Sequence, residues 1–307
     1  MRKLLVVLAL CFLGASLSPA CWAKHKTYVV LGDSYAFGYT TDNPADPDAF
    51  QGPSYGEPGY VAGYARALDP RSSNSPNKLQ TVNLAIPGET STTFFTGGSY
   101  GAPANLHYSS SLYPVYSDSG EFLFYTNAQS QFQRLLETIE KARAQKREIY
   151  RITIHLGGND LQELLSDPEY VYGDDAARQA KLRPVLARVA ANYERLLATL
   201  REKAPEARVV ILGYPNAFRA LGAFYQSMTE PAIQGLNAVL AREAARWGAR
   251  YVDVYTPFLG HEGEWTYILD PYGSPGPIYG TRLPNAHPRP AGYGVMADLL
   301  VAQEKRR

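Results

Sequence analysis

An α/β fold built on a parallel sheet is what this sequence predicts, and three observations carry the prediction. Apolar runs of strand length recur at residues 28–31, 82–86, 150–156, 209–212 and 251–254. Stretches with apolar residues at helical spacing fill the gaps between them. No low-complexity linker or internal repeat divides the chain. Strands alternating with amphipathic helices imply parallel pairing, right-handed crossovers and helices on both faces of one sheet.

Taken in order, the run Tyr28-Val29-Val30-Leu31 stops at Gly32 and presents Asp33-Ser34 at its carboxyl end. The second run leads through Asn83-Leu84-Ala85-Ile86 into Pro87-Gly88. Phe132, Leu135, Leu136, Ile139 and Ala142 then form a helical stripe. The third run ends at Gly157-Gly158-Asn159-Asp160, where Asp160 is expected to cap a helix beginning near Leu161. Val185, Val189, Tyr193, Leu196, Leu197 and Leu200 predict a helix behind Pro184, and Ile233, Leu236, Val239, Leu240 and Ala244 one behind Pro231. After the fifth run comes Asn285-Ala286-His287-Pro288, then a last stripe of Val295, Met296, Leu299 and Leu300 behind Pro290.

In a parallel sheet the loops after the strand ends share one rim, and ligands bind there. That geometry lets residues far apart in sequence meet. A Ser at a strand end, Gly and Asn donors in neighbouring loops and a His before the last helix read as nucleophile, oxyanion donors and base. At this point the chain resembles the SGNH/GDSL hydrolase superfamily, whose four motif blocks are matched in order by Ser34, Gly88, Asn159 and His287. The resemblance runs from about Tyr28 to Leu300. It implies a three-layer α/β/α sandwich, flavodoxin-like, with a parallel sheet of about five strands.

The same resemblance assigns roles. Ser34 is the nucleophile and His287 its general base; the backbone N–H groups of Ser34 and Gly88 and the side-chain amide of Asn159 form the oxyanion hole. Asp33 is expected to tie its turn together by backbone hydrogen bonds rather than to move a proton. Family members commonly carry Asp three residues before the His, and here that position is Pro284. Its backbone carbonyl is the expected His-orienting group, with Asn285, Asp270, Glu262 and Glu264 as less favoured substitutes. Of the other histidines, His155 lies inside the third strand and is expected to be a core residue hydrogen-bonded to backbone.

The amino-terminal segment reads as a secretory signal peptide. Arg2 and Lys3 precede the apolar run 4–13, and small residues around 16–23 offer cleavage after Ala23. The expected division is therefore a leader, 1–23, and a single hydrolase domain, 24–307, exported to the periplasm or medium. A lipoprotein anchor at Cys21 is the less favoured rival. Both cysteines, Cys11 and Cys21, lie in the leader, so cleavage excludes disulfides, zinc–thiolate sites and a Cys nucleophile. The 30 basic and 29 acidic residues become 28 and 29 once Arg2 and Lys3 leave, which gives no electrostatic footprint for nucleic acid or an anionic membrane.

Two segments exceed the usual loop length, 40–58 and 91–127, and a third, 258–283, precedes the His motif. Many of the 23 tyrosines fall in or near them. These segments are expected to wall the substrate pocket. The reading is a secreted serine hydrolase of small-molecule or polymeric carboxylic esters, a lipase or broad esterase, acting through an acyl-enzyme. A polysaccharide O-acetylesterase and a non-catalytic carbohydrate-binding relative are the alternatives. No metal or organic cofactor is implied, no transmembrane span is expected in the mature chain, and the sequence does not set an oligomeric state.

Overall fold

The computed structural model describes residues 25–39, 59–70, 79–86, 88–97, 114–116, 122–124, 129–165, 167–270 and 284–305. The leader at 1–23, the loop at 40–58, Pro87, most of 98–128 and the segment 271–283 lie outside the described residues. Five strands form the parallel sheet: β1 (Lys26–Gly32), β2 (Gln80–Asn83), β5 (Glu148–His155), β6 (Arg208–Leu212) and β7 (Arg250–Val252), in the order β2-β1-β5-β6-β7. Between β2 and β5 in the chain, β3 (Pro114–Tyr116) and β4 (Phe122–Phe124) pair as a separate antiparallel ribbon. The main sheet has the flavodoxin-like order, in which the chain reverses direction across the sheet between β1 and β5.

Tyr28, Val29, Val30 and Leu31 alternate between the two faces of β1 and are all fully buried, so both faces are covered. On one side lie α2 (Tyr60–Leu68) and α11 (Pro290–Lys305), where Tyr28 meets Tyr64 edge-on. Here also Arg151, a charge in the middle of an apolar strand, is fully buried and pairs with Glu304 at 2.5 Å, while Tyr64 donates to the other carboxylate oxygen at 2.6 Å. Breaking such a pair costs roughly 3–5 kcal/mol because the surviving charge stays buried.

The remaining long helices are α4 (Gln131–Ala144), α7 (Asp175–Lys203) and α8 (Ala223–Trp247). Ser130 starts α4 with a capping box: its hydroxyl accepts from Gln133 N–H, and the Gln133 side chain accepts from Ser130 N–H. The short helices are α1 (Ser34–Phe37), α3 (Thr93–Thr96), α5 (Gln162–Leu165), α6 (Pro168–Tyr172), α9 (Tyr255–Phe258) and α10 (Glu262–Trp265).

Two helix boundaries depart from expectation. Helix α7 begins nine residues before Pro184 and α8 eight before Pro231, each proline lying inside its helix. An interior proline loses one backbone bond. In α7 the loss is offset by buried Leu182 and Val185 around it and by Asp174, which caps Ala177 N–H; in α8 Met228 and Ala232 are buried. Strand β2 also ends early, at Asn83, but Leu84 N–H to Val30 O and Ile86 N–H to Gly32 O carry its pairing on to the rim.

Candidate active site

The rim at the carboxyl ends of β1 and β5 is where the motif residues converge. Gly32 has φ 144°, and a Cβ there would come within 2.1 Å of the His155 carbonyl. Only glycine fits this approach, and it lets the chain turn at once into α1. Asp33 caps that helix, its Oδ1 accepting from Tyr35 N–H at 2.9 Å. Ser34 is thereby the first residue of α1, at the sheet's reversal point, and is 6% exposed.

His287 Nε2 lies 2.7 Å from Ser34 Oγ. On the other side of the ring, Nδ1 lies 2.6 Å from Asn285 Oδ1, and the same oxygen accepts the His287 backbone N–H at 3.0 Å. The second bond matters for the tautomer. It turns the amide oxygen toward the ring, so Nδ1 must donate and Nε2 is left as the acceptor facing the serine. The Asn285 side chain therefore stands where the Pro284 carbonyl was expected: an amide two residues before the His folds back as an Asx turn and reaches Nδ1. Asp270, Glu262 and Glu264 are engaged elsewhere, with Arg289, Arg219 and His261 respectively.

The His loop is held from several sides. Tyr35 O–H donates to Ala286 O at 2.6 Å, Tyr267 N–H to His287 O at 3.0 Å, and the Tyr39 ring lies 4.4 Å from the imidazole. Burial pushes the His287 pKa down to about 3, so the ring is neutral and able to accept a proton.

Asn159 opens a short 3₁₀ turn (Asn159–Leu161) after β5. Its Nδ2 donates to Glu89 O at 2.9 Å, and its Oδ1 accepts from Gln162 at 2.7 Å. One Nδ2 hydrogen remains for a ligand. Gly88 has φ 78°, a left-handed turn that suits glycine, closed by Glu89 N–H to Ile86 O at 3.1 Å. The backbone N–H groups of Ser34 and Gly88 have no hydrogen-bond partner among the described residues.

Asp33 does more than hold its turn. Its Oδ2 accepts from Tyr214 O–H at 2.5 Å, and burial raises its pKa to about 7, the Tyr214 bond pulling the other way. Asp160 does not cap a helix. Its carboxylate reaches across the rim to accept from Ser91 N–H and Ser91 O–H, both at 2.7 Å, a tertiary partnership that local spacing does not reveal. His155 is buried as expected, with its ring 4.3 Å from that of Tyr214, but neither ring nitrogen has a partner in hydrogen-bond geometry among the described residues; burial, offset in part by the Gly213 backbone, holds its pKa down at about 3.

A cavity of about 130 Å³ opens beside Ser34, Asn159 and His287 and runs between α5, α6 and the first half of α8, lined by Leu161, Leu164, Tyr170, Phe218, Ala232 and Ile233. The aromatic residues expected in the walls are elsewhere where they are described. Phe94 and Phe95 pack on Phe132, Trp265 on Phe258 and His261, and Tyr267 lies under Arg289. Among the described residues no group of three or more His, Cys, Asp or Glu side chains is placed to hold a metal ion, and no helix is long and apolar enough to cross a membrane.

The family model for the GDSL-like lipase/acylhydrolase family matches residues 30–295. The chain belongs to that family. The SGNH/GDSL resemblance carried by the four motif blocks is thus borne out. A lipase from Streptomyces rimosus is 32% identical over 123 residues, 36% of this chain and 46% of that lipase, so the match spans less than half the curated relative. Among solved structures, phospholipase A1 from Streptomyces albidoflavus NA297 shares 21% identity with a TM-score of 0.52, covering 91% of this chain and 98% of that one. The lipase Lip_vut3 from a goat rumen metagenome shares 21% with a TM-score of 0.54, covering 90% and 96%. For this GDSL-like chain these likenesses carry the α/β/α fold and its five-stranded parallel sheet.

Proposed function

We propose that this family member is a serine hydrolase of carboxylic esters, a lipase or broad esterase, and that Ser34 and His287 do its chemistry. The observation that carries the reading is the 2.7 Å contact between Ser34 Oγ and a neutral, oriented His287 Nε2 beside an apolar cavity. Ser34 Oγ attacks the ester carbonyl carbon as its proton passes to His287 Nε2. The imidazolium keeps its Nδ1–H on Asn285 Oδ1. Negative charge on the former carbonyl oxygen is met by Ser34 N–H, Gly88 N–H and the free Asn159 Nδ2 hydrogen. The C–O bond to the alcohol breaks as His287 returns the proton to it, leaving an acyl-serine. Water then attacks the acyl carbon, giving its proton to His287, and the acid leaves as Ser34 is reprotonated.

The cavity's lining favours an alkyl acyl group over an acetylated sugar. Its volume is close to that of an engineered apolar cavity of about 150 Å³ that holds a benzene ring, so it fits roughly six carbons. The polysaccharide O-acetylesterase is therefore the second reading, and the non-catalytic binder is opposed by the complete proton path. Export through residues 1–23 belongs to the same proposal, tested by amino-terminal sequencing of the product from the medium or periplasm.

Hydrolysis of p-nitrophenyl esters from acetate to palmitate by the wild type and Ser34→Ala tests the function. The reading expects an optimum at a short-to-medium acyl chain and loss of turnover in the variant. Acetate as the sole substrate would favour the acetylesterase, and no turnover on any ester would favour the binder.

A further inference from the structure

Glu89 takes no part in the steps above, yet it is 1% exposed and follows directly on the Gly88 turn. Its main-chain carbonyl holds Asn159 Nδ2 at 2.9 Å. Its side-chain Oε2 accepts from Gln131 Nε2 at 3.1 Å, while Oε1 is buried with no geometric hydrogen-bond partner among the described residues. Gln131, fully buried at the start of α4, also clamps the end of β1: its Oε1 accepts from Gly32 N–H at 2.7 Å and its Nε2 donates to Gly32 O at 2.9 Å. One unbroken path of hydrogen bonds thus joins the backbone two residues before Ser34 to the turn after Gly88 and to the Asn159 amide.

No Lys or Arg makes an ion pair with Glu89 among the described residues. Among the described residues the charged groups that act on it most are acidic: Asp33 just after β1 and Asp160 in the 3₁₀ turn, the latter with Arg188 of α7 at 3.8 Å. Thr93 of α3 and Gln131 of α4 are the polar side chains that support it. A carboxylate in such a place has no cationic partner among the described residues and only weak hydrogen-bond support, which disfavours the ionised form.

We propose that Glu89 and Gln131 are a positioning pair for the oxyanion donors and that the pair works with Glu89 as the neutral carboxylic acid. The proposal rests on the reading of Gly88 and Asn159 as those donors. Loss of the Glu89 proton adds an anion that Asp33 and Asp160 both repel, next to the turn that must hold a developing negative charge, and drives the joint apart. Burial, offset in part by Thr93 and Gln131 and reinforced by the two aspartates, raises the Glu89 pKa to about 8, so the change falls in an accessible pH range.

The test compares wild type, Glu89→Gln, Glu89→Ala and Gln131→Leu. Three quantities are followed: kcat and KM from about pH 6 to 10, Ser34 labelling by a fluorophosphonate, and urea-unfolding stability from about pH 5 to 9. Glu89→Ala and Gln131→Leu should lower kcat about tenfold or more with KM moved less than about threefold. Glu89→Gln, which mimics the neutral acid, should keep most of what Glu89→Ala loses. Wild-type kcat should fall above about pH 8 and that of Glu89→Gln should not; Asp33 is common to both, so their difference isolates residue 89. The folded pKa lies above the unfolded one, so the wild type should also lose stability relative to Glu89→Gln as pH rises from about 4.5 to about 8, and level off above that.

A Glu89→Ala enzyme within twofold of wild-type kcat would overturn the positioning role. Superimposable pH profiles for wild type and Glu89→Gln would overturn the neutral-acid claim. A wild type that neither turns over esters nor labels at Ser34 would sink the hydrolase reading and the oxyanion role with it; parallel stability curves would then separately refute the neutral acid.

Discussion

Asn285 Oδ1 sits 2.6 Å from His287 Nδ1 and 3.0 Å from the His287 backbone nitrogen, so one amide oxygen fixes both the ring and its loop. Replacing a triad Asp by Asn can cost about 10⁴ in kcat when the amide presents the wrong face to the ring. Here the backbone N–H selects the oxygen, and an uncharged residue preserves the tautomer. Asn285→Leu should lower kcat by about 10²- to 10⁴-fold with a smaller change in KM, measured by steady-state kinetics. Asn285→Asp should retain activity while its charge raises the His287 pKa, moving the acid limb of kcat/KM to higher pH. An unchanged acid limb in that variant would mean that residue 285 does not face the ring in solution.

His287 must be neutral to accept the serine proton, and burial holds its pKa at about 3. The acid limb of kcat/KM for the wild type should therefore lie well below the ordinary imidazole value of about 6.5. A limb near 6.5 would show that the ring is more open to water in solution than the structure places it.

His155 gives a stability prediction. Burial lowers its pKa to about 3, and neither nitrogen has a partner in hydrogen-bond geometry among the described residues. The unfolded chain takes up a proton near pH 6.5 and the folded one only near 3, so stability is lost as pH falls through that window. His155→Phe keeps an aromatic ring against Tyr214 and removes the proton uptake. Its urea midpoint should decline less than that of the wild type between about pH 6.5 and 4; parallel decline would assign the acid sensitivity elsewhere.

Asn159→Ala removes one of the proposed oxyanion donors and also the bond to Glu89 O. A loss of about 10²- to 10³-fold in kcat is expected, with KM little changed. A variant that alters KM alone would place Asn159 in ground-state binding.

Ala232, just after the interior Pro231 of α8, lines the cavity and is 5% exposed. Ala232→Phe should fill space that a six-carbon acyl group would use, so kcat/KM for hexanoate should fall at least tenfold more than that for acetate. Equal losses on both esters would mean that the acyl group lies elsewhere.

The parts of this architecture written in local pattern were legible in the sequence: the five apolar runs, the Gly-Asp-Ser strand end and the Pro-initiated last helix. Helix starts before Pro184 and Pro231 were hidden, because an interior proline reads as a boundary unless the packing around it is known. Site residues that act through side chains brought from distant elements were equally hidden. Tyr214 on Asp33, Ser91 on Asp160 and Gln131 on both Gly32 and Glu89 span 181, 69, and 99 and 42 residues of sequence respectively. The cavity wall is illegible in the sequence for a different reason: Leu164, Ala232 and Ile233 have the spacing of ordinary helix residues, while the conspicuous loop aromatics that are described serve the scaffold.

The central claim is that Ser34, activated by His287, carries the acyl group. Rapid quenching of wild type during p-nitrophenyl hexanoate turnover, followed by peptide mass spectrometry, tests it most directly. The account predicts a hexanoyl adduct on the peptide containing Ser34, absent in Ser34→Ala and strongly reduced in His287→Ala. An adduct on another residue, or turnover undiminished in Ser34→Ala, would contradict it.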